Sequence, residues 1–122
     1  MSKSPTQRTM EEMRNRGYLC WIVEHWNHFA RKRQDLFGFV DVLAIKEGET
    51  IAIQTTSASN VSARVTKIAE HENVGAVRKA GWKILVHGWN GSKLREVDCS
   101  CPTTNPIAAG NGWRLSPRSV NA

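Results

Sequence analysis

The spacing of hydrophobic and polar positions changes several times along this chain, and each change marks an element. Residues 39–45 and 50–56 are apolar and β-branched, and Lys46-Glu47-Gly48-Glu49 between them suits a four-residue hairpin loop. That loop pairs Ile45 with Thr50 and Leu43 with Ala52, and it sets Asp41 opposite Gln54. Strand side chains alternate with period two, so Gln54 and Thr56 share a face to which Asp41 can also point. Upstream, Ser4-Pro5-Thr6-Gln7 reads as a helix start with a cap, a first-turn proline and a capping-box glutamine. Met10 and Met13 supply that helix with an apolar face, and Gly17 ends it. Residues 18–26 read as an aromatic, β-branched strand, and 27–34 as a polar, basic loop. Ser57-Ala58-Ser59-Asn60 is a capping cluster, after which Val61, Val65, Ile68 and Ala69 recur with helical spacing. Strands over 82–89 and 94–99 flank an Asn90-Gly91 turn. The predicted order is helix, three strands, helix, two strands. The strands on either side of the second helix must then be parallel neighbours joined by a right-handed crossover. The expected architecture is α/β, a central mixed sheet flanked by helices, in one domain over 1–101. From Pro102 the composition turns to Thr, Asn, Gly, Pro and Ser, so 102–122 is read as a tail. Its Trp113 and Leu115 are placed to pack on the domain or on a second subunit.

Composition narrows the partners. With 17 Lys and Arg against 11 Asp and Glu, the net charge of +6 points to an anionic partner, nucleic acid before membrane. No apolar run reaches the length of a transmembrane helix, and the N-terminus lacks the apolar core of a signal peptide. Three cysteines without disulfide-framework spacing imply a reducing, cytoplasmic setting. Arg31, Lys32 and Arg33 precede the Asp41 strand, where they serve either phosphate contact or solubility. Arg64, Lys67 and His71 form a stripe just past Thr56 that faces substrate or water. Glu11 and Glu12 are either solvated surface or helix-borne metal ligands. His25-x-x-His28 with Cys99-x-Cys101 offers a zinc alternative, although the Cys pair is closer than usual. His71 and His87 read as surface and strand residues, and the five Trp as core or interface rather than base-stacking platforms.

An Asp in the middle of so apolar a strand is expensive to bury without a partner or a metal. Around it, Gly38-Phe39-Val40-Asp41 on one strand and Ile53-Gln54-Thr55-Thr56 on the next stand in the order of a known motif. Over roughly residues 4–90 the chain resembles the PD-(D/E)XK nuclease superfamily, nearest to the Holliday-junction-resolvase-like and VRR-NUC-like branches common in bacteriophages. The resemblance implies a restriction-endonuclease-like core in a bacterial or phage-infected cell. It also implies a homodimer acting on DNA, such as branched DNA, with Mg²⁺ or Mn²⁺ as cofactor. It makes Asp41 a metal ligand, puts Gln54 in the place of the family's Glu, and offers the Thr55 carbonyl as a further ligand. Thr56 stands in place of the catalytic Lys. Gln for Glu removes a negative charge, and Thr for Lys removes a cation that Arg64 or Lys67 would have to restore from the next helix. The family's helix Glu would fall near Thr6 or Gln7. Glu24 and Asp35 are the candidates for the missing carboxylate, with Glu24 preferred because a strand holds it. The alternative implied by these departures is a nuclease fold that binds DNA or a protein without cutting.

Overall fold

The computed structural model describes residues 3–101, and the expectations for 102–122, Trp113 and Leu115 included, lie outside the described residues. The first helix, α1 (Pro5–Asn15), begins as its sequence demands. Ser4 Oγ accepts from the Gln7 N–H at 3.2 Å, and Gln7 Oε1 accepts from the Ser4 N–H at 3.2 Å. Gly17, at φ +96°, turns the chain into β1 (Leu19–Ile22). The strand expected over 18–26 is divided. After Ile22 the Val23 N–H reaches back to the Asp41 carbonyl, and the chain then leaves the sheet for a separate hairpin. This hairpin, β2 (His25–Asn27) with β3 (Lys32–Gln34), replaces the expected basic loop.

Then come β4 (Val42–Lys46) and β5 (Glu49–Ser57), in the expected register of Ile45 with Thr50 and Leu43 with Ala52. Their turn is tighter than a four-residue loop: Lys46 pairs with Glu49, and Gly48 takes φ +76° in a two-residue connection. A 3-10 turn (Ala58–Asn60) leads into α2 (Val61–Ala69), and a separate α3 (Val74–Lys79) follows. The strands β6 (Lys83–Asn90) and β7 (Lys93–Asp98) complete a five-stranded mixed sheet of order β1-β4-β5-β6-β7. The strands that flank the helices, β5 and β6, are parallel, as the crossover requires. The result is an α/β domain with helices on both sheet faces, consistent with a restriction-endonuclease-like core.

Alternation along β5 sorts the core into two layers. Ile51 and Ile53 face α1, where they join Met10, Met13, Cys20, Val42, Ala44 and Leu85. Ala52 faces the other way and packs with Phe39, Val61, Val65, Ile68, Val77 and Val86 under α2 and α3. A buried polar chain seats α1. Trp89 Nε1 donates to Thr9 Oγ1 at 2.9 Å, Thr9 Oγ1 meets His87 Nδ1 at 3.1 Å, and His87 Nε2 meets Glu96 Oε2 at 2.7 Å. Arg16 closes it, donating to Glu96 at 3.0 Å and to Glu12 at 2.9 Å. Burial alone would raise the Glu96 pKa, but His87 and Arg16 more than offset it and the net shift is downward. Glu12 is thus a structural partner of Arg16, and Glu11 is an exposed partner of Lys3.

On the opposite face, α2 lies so near β6 that only glycine fits at position 88. A Cβ there would overlap Val61 Cγ2 and come within 3.1 Å of the Ala58 Cα. Gly88→Ala is therefore expected to cost about 1–3 kcal/mol by overpacking. A thermal melt followed by circular dichroism checks this, and an unchanged midpoint would mean that α2 sits farther from the sheet.

Candidate metal centre

The site forms where the ladder between β4 and β5 ends. Asp41 lies one residue before β4, with its backbone held on both sides. Its N–H donates to the Ile53 carbonyl at 2.9 Å, and its carbonyl accepts from the Val23 N–H at 2.9 Å. Two residues beyond Ile53, the Thr55 N–H points to the same side of β5 but finds no backbone acceptor on β4. The Asp41 carboxylate supplies one: Oδ2 accepts from the Thr55 N–H at 2.9 Å and from its hydroxyl at 3.3 Å. The Thr55 hydroxyl also meets Thr6 Oγ1 at 2.9 Å, which ties α1 to the same point. By the same alternation the Thr55 carbonyl is directed to the β4 side.

Two more carboxylates arrive from loops. Glu24 follows β1, and Asp35 follows β3; one oxygen from each, with one from Asp41, lie within 4.8 Å of one another. Asp35 is brought there by a tight turn in which the Gly38 N–H returns to the Asp35 carbonyl at 2.9 Å. Phe37 and Gly38 both adopt positive φ, +56° and +90°, in that turn. The His71 ring covers it so closely that a Cβ on Gly38 would lie 2.5 Å from Nε2. The same ring meets Phe39 edge-on at 5.2 Å, so His71 braces the turn.

Three ionised carboxylates at this spacing repel strongly, by roughly 3 kcal/mol per pair at an effective dielectric near 20. Burial pushes the Asp41 carboxyl up to about 7, and hydrogen bonding to Asp35 with the charges of Asp35 and Glu24 adds to the rise against the opposing Thr55 N–H. Hard oxygen donors that converge in this way match what Mg²⁺, Mn²⁺ or Ca²⁺ requires. The acidic cluster could hold such an ion.

The cleft around the cluster has a volume of about 490 Å³ and includes Thr6, Gln7 and Arg64 in its walls. Its neighbour, about 570 Å³, is lined by His25, Lys32, Gln34 and Lys67, and Asp35 belongs to both. Of the residues singled out from the sequence, Asp41, Glu24, Thr55 and Arg64 therefore meet at one cleft, and Lys32 and Lys67 at the next. Arg31 is exposed at the hairpin turn, and Arg33 lies in β3 opposite Trp26.

Gln54 and Thr56 do not join them as expected. Asp41 stands outside regular β4, at a bend, so its side chain escapes the alternation that would have faced it to Gln54. Gln54 alternates with Thr55, stands beside Val86 of the α2 layer, and is 1 % exposed with neither amide atom hydrogen-bonded. Thr56 follows the same face and is also buried. Glu24 does not owe its position to a strand; it sits in the break between β1 and β2. The zinc alternative also fails. Among the described residues Glu24, Asp35 and Asp41 are the metal-capable group of His, Cys, Asp and Glu that comes together, and it includes neither His25, His28, Cys99 nor Cys101. His87 is a fully buried strand residue, as its pattern implied.

Comparison with protein-family models, with curated proteins and with solved structures returns no match.

Because folding raises the Asp41 pKa from near 4 to about 7, the folded chain binds more protons than the unfolded one across that window. This group's contribution is thus full below about pH 4, falls as pH rises, and is lost above about 7. Each tenfold change in proton affinity is about 1.4 kcal/mol. Without divalent ions, Asp41→Asn should raise the melting temperature at pH 8 and leave it nearly unchanged at pH 4. Millimolar Mn²⁺ or Mg²⁺ at pH 8 should stabilise wild type and not the variant. Calorimetry showing the same ion response in both would remove Asp41 from any metal site.

Proposed function

We propose that this chain is a metal-dependent endodeoxyribonuclease of the kind its motif order resembles, hydrolysing phosphodiester bonds in DNA. One observation carries the reading: three carboxylates converge at one cleft that also holds Arg64, beside a second cleft lined by Lys32 and Lys67, in a chain of net charge +6. Catalysis of phosphodiester hydrolysis needs both signs of charge in that relation, anionic ligands inside and cations where the polyanion lies.

In this reading Asp41, Asp35 and Glu24 are the ligands for Mg²⁺ or Mn²⁺, with the Thr55 carbonyl as a fourth oxygen. A divalent ion supplies polarisation of the phosphoryl oxygen and a lowered pKa for the attacking water. The protein does the rest by positioning. The Thr55 N–H and hydroxyl fix the Asp41 carboxylate before any ligand arrives. Arg64 offers charge-assisted hydrogen bonds to non-bridging oxygens, in place of the Lys that Thr56 lacks. The capped start of α1, with Ser4, Thr6 and Gln7 in the wall of the cleft, presents the positive end of a helix to an incoming phosphate. Lys32 and Lys67 guide the flanking backbone. A homodimer fits the half-exposed or more exposed Leu19, Trp21 and Ile45 on β1 and β4, which α2 and α3 leave uncovered.

A second reading, DNA binding without cleavage, is favoured by the cation of the cleft being an arginine. A guanidinium does not act as a proton acceptor, so general-base chemistry must come from a carboxylate or from water. The two readings part in one assay. Supercoiled plasmid and four-way-junction DNA are incubated with the protein and Mg²⁺ or Mn²⁺. Cleavage that falls at least about a hundredfold in Asp41→Ala and in Asp35→Asn supports the nuclease. Equal cleavage by wild type and both variants excludes this site, and salt-sensitive binding with no cleavage under any divalent ion selects the second reading.

A further inference from the structure

Among the described strands, β2 and β3 alone take no share in the five-stranded sheet and pair only with each other. Two-stranded hairpins are marginal in water unless packed, and this one is anchored only at its base. There Val23 and Leu36 pack against the α2-side core, and Leu36 bridges to Val40. Its far end is nevertheless built to one shape. Asn27 Oδ1 accepts from the Phe29 N–H at 2.9 Å and the Ala30 N–H at 3.0 Å, and Arg31 adopts φ +55° to close the turn. The product of that local order is a phenylalanine at the tip, fully exposed, with a half-exposed tryptophan, Trp26, two residues behind the turn.

Neither aromatic has a folding role that explains it. Isolated apolar side chains on a surface are ordinary, but these two share one small element whose chemistry is otherwise cationic. Residues 25–34 hold Arg31, Lys32, Arg33 and two histidines, with no acid. The element also has sides. His25, Lys32 and Gln34 line the basic cleft that joins the acid cluster through Asp35, whereas Trp26, alternating with His25, looks away from it.

We propose that this hairpin is a strand-separating wedge, which stacks unpaired bases of branched DNA on Phe29 and Trp26 while its cleft-lining face guides one backbone to the metal centre. Flat aromatic faces accept any base, and apolar side chains inserted at a base step unstack it. The basic residues favour the polyanion over an acidic-surface-free protein partner. The strands of the hairpin rise about 3.3 Å per residue, so its tip stands roughly 10 Å past Gln34, two to three nucleotide steps from the cluster. Branch recognition would thus come from an element that holds no metal ligand. The proposal rests on the nuclease reading for the purpose of the cleft, but the wedge itself can be tested by binding alone.

The full-length protein, in Ca²⁺ so that binding is read without turnover, is titrated against a forked DNA with 2-aminopurine at the branch and against a fully paired duplex of the same length. Wild type should favour the fork and change the 2-aminopurine emission. Phe29→Ala and Trp26→Ala should each lose roughly tenfold or more on the fork, change duplex affinity and salt dependence little, and melt as wild type does. Phe29→Trp should restore fork binding. Equal losses on fork and duplex, or no loss in either variant, overturn the wedge. Binding of wild type to vesicles of anionic lipid with a blue shift of tryptophan emission, and no response to forked DNA, would overturn it in favour of a membrane surface. Failure of the nuclease reading looks different: fork selectivity dependent on Phe29 persists, but Mg²⁺ or Mn²⁺ elicits no cleavage that depends on Asp41.

Discussion

The hydrogen bond from the Thr55 N–H to the Asp41 carboxylate is the point on which the site turns. In an unbroken ladder that N–H would meet a carbonyl of β4 and no ionisable group would stand there. Because the chain bends at Asp41, a side chain completes the ladder in place of a backbone group. The exchange aims a carboxylate at the end of the sheet, where loops can bring others to it. It also fixes the carboxylate with backbone geometry, which is stiffer than a rotamer held by packing alone. Asp41 is joined through its own main chain to Val23, just past β1, and to Ile53 of β5, so its position is fixed from both sides.

The second support is remote. α1 contributes Thr6 to the cleft, and α1 is held to the sheet by the chain from Trp89 through Thr9, His87 and Glu96 to Arg16 and Glu12. Buried polar links of this kind add little net stability over apolar packing of the same volume, but they accept only one register. An apolar helix face would tolerate a slide along the sheet that moved Thr6 from Thr55. The network makes such a slide expensive, since each displaced partner would leave a buried polar group unpaired.

Much of this architecture could be read from local chemistry. The capping box at Ser4, the pairing of Ile45 with Thr50, and the parallel neighbours around the helices each follow from a rule that acts over a few residues. Asp41 was legible too, since an acid in an apolar run demands an explanation. Its companions were less so. Asp35 approaches through a turn that sets Phe37, not a glycine, at positive φ, a conformation no propensity would place there. Glu24 approaches because β1 ends early, which depends on Val23 bonding to Asp41. The assignment of Gln54 and Thr56 to the cleft failed for a related reason: alternation predicts faces only while both strands stay regular, and β4 begins one residue too late. Residues 27–34 read as a loop, and 25–26 as the end of the preceding strand, because the hairpin they form buries almost nothing and so carries no hydrophobic period.

The juxtaposition of signs has a further consequence for how ligands would act on one another. An anionic cluster repels a phosphate, and a phosphate in the neighbouring basic cleft would raise the cost of each nearby carboxylate charge. A divalent ion removes both penalties, because it satisfies the carboxylates and turns the local field toward the phosphate. Coupling of that kind is reciprocal: whatever factor the cation adds to phosphate affinity, phosphate must add to cation affinity. With the Asp41 carboxyl already drawn to about 7, the proton is the competitor that the cation displaces. A weak metal site on the free protein is thus compatible with a well-filled one when a phosphate occupies the neighbouring cleft.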